Sequence, residues 1–195
     1  MDLPRLFKYA TRDDSSFLDA LAIVKANSSG KIWLTGSYLY RLLASYLYPQ
    51  GMDLRYWRFS TPMDFMVDTF VELRIPEGWG KSSSVEGNTA FFRKESSVPA
   101  FYILPLANVP SIRATGAEVT IENYLREAPL TVQSLAYDIY QQRLLGEVGI
   151  RALLEKSVGV HHVEAASYYA QRKGQPIDEI ITQKVQQLGF TPVLL

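Results

Sequence analysis

The feature that most constrains this chain is a short β-favouring run followed at once by a Gly-Ser pair and a strongly apolar helical pattern. Residues 31–35 predict a strand, and residues 38–48 predict a helix. A strand that turns into a helix at a glycine presents backbone N–H groups at the positive end of that helix. Gly36 and Ser37 are therefore a candidate phosphate cradle, and an ordinary turn and helix cap is the alternative interpretation.

Strand patterns occupy mainly the first three quarters of the sequence, and helical patterns dominate its end. Strands are predicted at 64–73, 89–94 and 100–106, a strand or hairpin at 135–145, a mobile Gly-rich loop at 75–88, and helices at 13–27, 120–126, 150–157, 161–172 and 177–188. This order predicts an α/β or α+β fold, with a mixed sheet flanked by helices. We expect a core over residues 1–154 and a short helical C-terminal extension over 155–195.

The composition excludes several kinds of site. The 195 residues include no cysteine, so a disulfide scaffold, a thiolate metal site and a cysteine nucleophile are impossible. The 20 basic residues are balanced by 20 acidic ones, so we expect no extended binding to nucleic acid. The adjacent His161 and His162 diverge by about 100° on a helix and cannot chelate one ion together.

No apolar run approaches the roughly 20 residues that a membrane span requires. The first residues also lack the charged and apolar regions of a secretory signal. We therefore expect a cytoplasmic protein with no membrane partner.

Carboxylates alternate with apolar residues in the strand predicted after Pro62. Asp64, Met66 and Asp68 share one face of that strand, and oxygen ligands of this kind suit Mg²⁺. Four positions along an extended strand separate Asp64 from Asp68 by about 13 Å, so the two can bind one ion only if the strand bends. A capping role for Asp64 at the end of the strand is the alternative.

A third pattern follows, with Leu130, Thr131, Gln133 and Ser134 preceding Leu-Ala-Tyr-Asp at 135–138. Together with the Gly-Ser turn and the strand carboxylate, it resembles the head domain of class II CCA-adding enzymes and bacterial poly(A) polymerases, which belong to the nucleotidyltransferase superfamily. The resemblance covers roughly residues 31–154.

The resemblance implies transfer of a nucleotidyl group from a nucleoside triphosphate to a hydroxyl, assisted by two Mg²⁺ ions. It makes Asp64 a candidate metal ligand, and with Asp68 from the same strand face the candidate catalytic residues and metal ligands are Asp64 and Asp68. The candidate nucleotide-binding residues are Gly36, Ser37, Arg41, Thr131 and Gln133. The expected ligand is a nucleoside triphosphate or another phosphorylated small molecule.

The chain departs from the family pattern at the metal-binding positions. Met66 stands where the family has its second aspartate, and a thioether is a poor ligand for a hard cation. The strand at 100–104 carries no carboxylate, although Asp68 or Glu72 could replace the missing ligand if the register is displaced. Two functions follow: magnesium-dependent nucleotidyl transfer with a partly degenerate metal site, or a catalytically inactive binding or regulatory module.

Overall fold

The computed structural model describes residues 2–49, 61–71, 74–83, 88–96, 100–109, 112, 116 and 118–193. Its centre is a mixed sheet in the spatial order β3-β4-β5-β2-β1-β6-β7. The strands are β1 (Ser28–Thr35), β2 (Met63–Phe70), β3 (Trp79–Ser83), β4 (Thr89–Arg93), β5 (Phe101–Pro105), β6 (Ala136–Asp138) and β7 (Arg143–Leu145). This architecture confirms the predicted mixed sheet flanked by helices.

The described helices surround the sheet, and two short 3-10 helices, Leu106–Asn108 and Thr131–Gln133, connect its parts. The α-helices are α1 (Leu3–Thr11), α2 (Ser15–Ala26), α3 (Gly36–Leu47), α4 (Ile121–Arg126), α5 (Glu147–Leu154), α6 (Val163–Lys173) and α7 (Ile177–Leu188). A separate parallel pair joins β8 (Ser157–Val158) to β9 (Thr191–Pro192). No helix in the described part of the chain is both long and apolar enough to cross a membrane.

The directions of the three central strands determine which side chains meet. β1 runs antiparallel to β2, whereas β2 runs parallel to β5. Asp64 near the start of β2 is consequently opposite Thr35 on one side and Tyr102 on the other. The end of β1, where the chain enters α3, thus lies beside the first carboxylate of β2.

The two faces of the sheet carry separate apolar clusters because successive strand residues point to opposite sides. Phe65 and Val67 of β2 belong to the larger cluster, which also contains residues of α1, α2 and α3. Met66 belongs to the smaller cluster on the other face, together with Trp33 of β1 and Leu125 of α4. Asp64 shares the strand face of Met66, and this smaller cluster therefore lies next to the candidate site.

The C-terminal segment, here residues 155–193, packs into the larger cluster. Ile180, Leu188 and Phe190 are buried there. The Phe190 ring also makes an edge-to-face contact with Tyr48, at 5.9 Å between ring centroids. The segment is therefore joined to the sheet domain by apolar packing, and the division of the chain at residue 154 stays a prediction.

Several described elements differ from the sequence predictions, including the short pair β8 and β9 and the two 3-10 helices. Helix α1 has no counterpart among these predictions, and β3 lies inside the predicted loop at 75–88. All five residues of β3 pair with β4, and the buried Trp79 ring packs on Phe101 of β5. These long-range contacts outweigh the weak strand preference of the Gly-Lys-Ser-Ser sequence that follows Trp79.

Phe190→Ala tests whether the C-terminal segment stabilises the whole structure. We expect one cooperative unfolding transition, with a loss of about 3 kcal/mol in the free energy of unfolding, because a buried aromatic ring is removed from the shared cluster. Urea unfolding followed by far-UV circular dichroism and tryptophan fluorescence measures this loss. Val193→Ala, at a residue that is 50% exposed, is the control and should change stability by less than about 0.5 kcal/mol. Two separate transitions, with the fluorescence transition unchanged by Phe190→Ala, would contradict the prediction.

Candidate phosphate-binding turn and its carboxyl group

The predicted phosphate cradle corresponds to the turn between β1 and α3. Gly36 is the first residue of α3 and has φ +73°, a left-handed conformation that glycine adopts readily. Thr35 is the N-cap residue, but its side chain makes no capping hydrogen bond to the helix. The first N–H groups of α3, including that of Ser37, therefore receive no hydrogen bond from the N-cap side chain. They lie at the positive end of a twelve-residue helix.

Gly36 lies directly against the carboxyl group of Asp64. A Cβ atom added at Gly36 would overlap Asp64 Oδ2. Position 36 therefore requires glycine for two reasons, its left-handed backbone and its lack of a side chain. The contact brings a single carboxyl group to the N-terminus of α3.

Hydroxyl groups surround Asp64 on its other sides. Thr35 Oγ1 donates a hydrogen bond to the backbone oxygen of Asp64 at 3.3 Å. The Tyr124 side chain of α4 hydrogen-bonds in turn to the Thr35 side chain. Tyr102 lies opposite Asp64 on β5, so the site consists of one carboxyl group among neutral donors.

Burial raises the pKa of Asp64 to about 7. Burial also raises the pKa of Tyr124 to about 12; the hydrogen bond to Thr35 opposes this increase, and the charge of Asp64 adds to it. The pKa values of Tyr40 and Tyr102 are raised as well, mainly by burial and further by Asp64. The three tyrosines therefore stay neutral near pH 7, whereas Asp64 can gain or lose a proton there and so act as a hydrogen-bond donor or acceptor.

Asp68, the second candidate carboxylate, lies four residues further along β2 and is exposed. Its Oδ2 accepts a hydrogen bond from the backbone N–H of Lys31 at 2.8 Å. This bond lies where the pairing of β1 with β2 is irregular, between Ser29 and Ile32. Asp68 therefore stabilises the far end of the strand pair and is not beside the Gly-Ser turn.

The described residues also bear on the predicted magnesium site. No group of three aspartate, glutamate or histidine side chains among them lies close enough together to hold a metal. Met66, which shares the strand face of Asp64, is 1% exposed and packed in the smaller apolar cluster. Glu72, the other suggested replacement, lies outside the described residues.

The remaining predicted nucleotide-binding residues lie on two other elements. Arg41 belongs to α3, and its guanidinium donates to Thr61 Oγ1 at 2.9 Å and to Gln187 Oε1 at 2.5 Å. Thr131 exchanges two hydrogen bonds with Gly159, one through its backbone N–H and one through its hydroxyl. Gln133 Oε1 is buried with no hydrogen-bond partner among the described residues. The 3-10 helix that contains Thr131 and Gln133 packs on α3.

The hydroxyl groups around Asp64 are not predicted by the sequence. Tyr102 lies opposite Asp64 only because β2 and β5 are parallel neighbours, and Tyr124 reaches Thr35 only because α4 lies over the smaller cluster. Neither relation leaves a local sequence signal. The apolar sequence of β5 could at most have suggested a central strand, since such strands are buried on both faces.

Comparison with known proteins identifies the fold. No protein-family model matches the chain, and no curated protein matches it in sequence. The structure is similar to that of a CCA-adding enzyme in complex with ATP, with a TM-score of 0.62 and 14% identity over 100% of this chain and 42% of that chain. A CCA-adding enzyme complex with CTP gives a TM-score of 0.55 and 16% identity over 88% of this chain and 40% of that chain.

A Thermotoga maritima CCA-adding enzyme complexed with tRNA is also similar, with a TM-score of 0.50 and 16% identity over 83% of this chain and 36% of that chain. The chain thus has the nucleotidyltransferase-like fold that these structures contain, as the sequence resemblance suggested. It spans about two fifths of the length of these three chains.

Asp64→Asn tests the electrostatics of the site through the pH dependence of stability. The pKa of Asp64 is higher in the folded than in the unfolded protein, so the wild type loses stability as pH rises from about 4 to about 7. Asparagine removes this penalty. Relative to the wild type, the variant should therefore gain about 1–3 kcal/mol between pH 4 and pH 8.

Urea unfolding at pH 4, 6 and 8 measures this difference. Glu155→Gln removes one exposed carboxylate and controls for the change in net charge. For each variant, the quantity compared is its difference from the wild type in the free energy of unfolding, as a function of pH. If this difference changes with pH in the same way for Asp64→Asn and Glu155→Gln, burial does not raise the pKa of Asp64.

Proposed function

We propose that the protein binds a nucleoside triphosphate, or another phosphorylated small molecule, at the Gly36–Ser37 turn, and that it acts as a binding module. The observation that carries this proposal is the contact between the bare backbone of Gly36 and the Asp64 carboxyl group at the N-terminus of α3. Backbone N–H groups at such a terminus attract phosphate oxygens, and a side chain at position 36 would block their approach.

The shared fold supports the choice of a nucleotide as ligand. Two of the similar structures are complexes with ATP and CTP. Fold alone does not determine function, so the proposal depends on the turn in this chain and not on the similarity. Asp64 contributes a carboxyl group that, when protonated near neutral pH, donates a hydrogen bond to a phosphate oxygen.

The apolar face beside Asp64 supports binding over two-metal catalysis. Met66, Trp33 and Leu125 pack together on that face. An ionised second carboxylate among them would have to lose its hydration, which is costly without a positive partner. The site therefore lacks, in its described part, the paired carboxylates that activation of a hydroxyl by two metals requires.

Magnesium-dependent nucleotidyl transfer remains the second candidate function. The position of Asp64 beside the turn favours it, since a carboxyl group of pKa about 7 can take a proton from a hydroxyl near neutral pH. This function requires that magnesium strengthen nucleotide binding and that Asp64→Asn abolish the effect.

The balanced charge of 20 basic and 20 acidic residues supports a small ligand over extended nucleic acid. The comparisons give this expectation no support, because one of the similar chains is in complex with tRNA. A small phosphorylated ligand is the more economical proposal for a turn that offers a few N–H groups and one carboxyl group.

Ser37→Asp separates ligand binding from folding. Aspartate in the first turn of α3 interacts favourably with the helix dipole, so we expect stability to be retained. The same carboxylate repels phosphate and should weaken binding of ATP and CTP at least about tenfold, which is about 1.4 kcal/mol. Calorimetric titration with each nucleotide, with and without Mg²⁺, measures the change.

Ser16→Asp is the matched control, because Ser16 occupies the same position in α2 and is exposed. It should bind both nucleotides as the wild type does. Equal affinity in the wild type and Ser37→Asp, or no binding to the wild type, would contradict the proposal. Binding that depends on both magnesium and Asp64 would favour the transferase instead.

A further inference from the structure

Two basic side chains lie where α3 meets α7, because Arg41 of α3 donates a hydrogen bond to Gln187 of α7 and Lys184 precedes Gln187 by three residues on that helix. Arg41 of α3 and Lys184 of α7 are both partly buried. The Lys184 Nζ lies 5.8 Å from the centroid of the Tyr40 ring, and Tyr40 precedes Arg41 on α3. The positive charge of Arg41 and, to a larger extent, burial lower the pKa of Lys184.

Hydrogen bonds hold the Arg41 guanidinium in place. Its two terminal nitrogens donate to Thr61 and Gln187, which are both uncharged. Its Nε is buried and has no hydrogen-bond partner among the described residues. The guanidinium is therefore fixed by neutral groups and retains an unused donor.

No described carboxylate forms an ion pair with either cation. The hydroxyl of Tyr40, a residue only 1% exposed, is also without a hydrogen-bond partner in the described part of the structure. Tyr40 lies within electrostatic range of both Arg41 and Asp64. Two cations and a free hydroxyl at one place are unfavourable in isolation, because buried charges and donors need partners.

We propose that Arg41, Lys184 and Tyr40 form a second anion site, which binds a phosphoryl group between α3 and α7. A phosphoryl dianion neutralises both cations, and a small shift of the side chains that cover Arg41 Nε and the Tyr40 hydroxyl lets it accept hydrogen bonds from both. The site is distinct from the Gly36–Ser37 turn, because it uses side chains of two helices and not the N–H groups of one helix end. This inference does not require that the turn bind a nucleotide.

The experiment measures the melting temperature of the full chain in sodium phosphate and in sodium chloride of equal ionic strength. When phosphate exceeds its dissociation constant about tenfold, we expect the melting temperature of the wild type to rise by about 3–6 °C. Phosphate also stabilises proteins by exclusion from their surface, without saturation. A saturating rise is therefore the signal of specific binding.

Variants of Lys184 remove the site without disturbing the core. Lys184→Met keeps the length and apolar stem of the side chain, and it should lose the saturating rise while melting in chloride at or above the wild-type temperature. Lys184→Glu supplies a carboxylate next to Arg41, and it should melt above Lys184→Met in chloride and also lose the rise. Lys25→Gln, at an exposed lysine of α2, is the control and should keep the rise.

Ser37→Asp distinguishes this site from the turn. We expect it to keep the saturating phosphate effect even if it no longer binds nucleotide. An effect that persists in Lys184→Met, that is lost only in Ser37→Asp, or that is missing from the wild type would overturn the proposal. Repeating the titration with saturating ATP identifies the source of the phosphoryl group: competition indicates a phosphate of the nucleotide, and additive effects indicate a separate phosphorylated ligand.

Discussion

The contact between the Gly36 backbone and the Asp64 carboxyl group depends on the antiparallel pairing of β1 with β2, and the geometry of the site depends on that contact. Because the pairing places Thr35 opposite Asp64, the chain must leave β1 and enter α3 beside the carboxyl group. A left-handed residue without a side chain is the only solution that avoids a clash. The pairing of β1 with β2 therefore places the N-terminus of α3 beside the Asp64 carboxyl group. No long, flexible side chain has to be ordered to make this contact.

The environment of Asp64 determines what this contact can do. A hard cation would require several oxygen ligands of negative charge, but the neighbours of Asp64 are a threonine, tyrosines and an apolar cluster built around Met66. In such surroundings the carboxyl group is stabilised in its neutral form, which is why its pKa rises to about 7. A neutral carboxyl group beside helix N–H groups can donate a hydrogen bond, as the proposed phosphate site requires. The same carboxyl group would have to be ionised to hold a metal.

Local patterns predicted the elements that form the site but not the contacts between them. The strand, turn and helix at residues 31–48 and the hairpin at 135–145 could be read from periodicity and glycine positions, because these signals act over a few residues. The parallel pairing of β2 with β5 and the strand β3 could not, since both depend on partners distant in sequence. For the same reason Asp64 was predicted as a site residue, whereas its neighbours Tyr102 and Tyr124 were not. The two candidate carboxylates lie apart, because Asp64 contacts Gly36 at the end of β1 and Asp68 contacts Lys31 nearer its start; their predicted shared role stays a prediction.

Buried apolar residues of the C-terminal segment position its polar side chains beside α3. Phe190 and Leu188 anchor α7 in the larger cluster, and this packing brings Gln187 and Lys184 to the side of α3. A lysine held there by apolar packing loses hydration whether or not an anion is present, so the anchoring residues stabilise an arrangement that is electrostatically unfavourable by itself. An apolar residue at position 184 would have packed at lower cost, and this cost is the reason for proposing an anion beside Lys184. If both proposals hold, residues of the C-terminal segment contribute to ligand binding alongside the turn between β1 and α3.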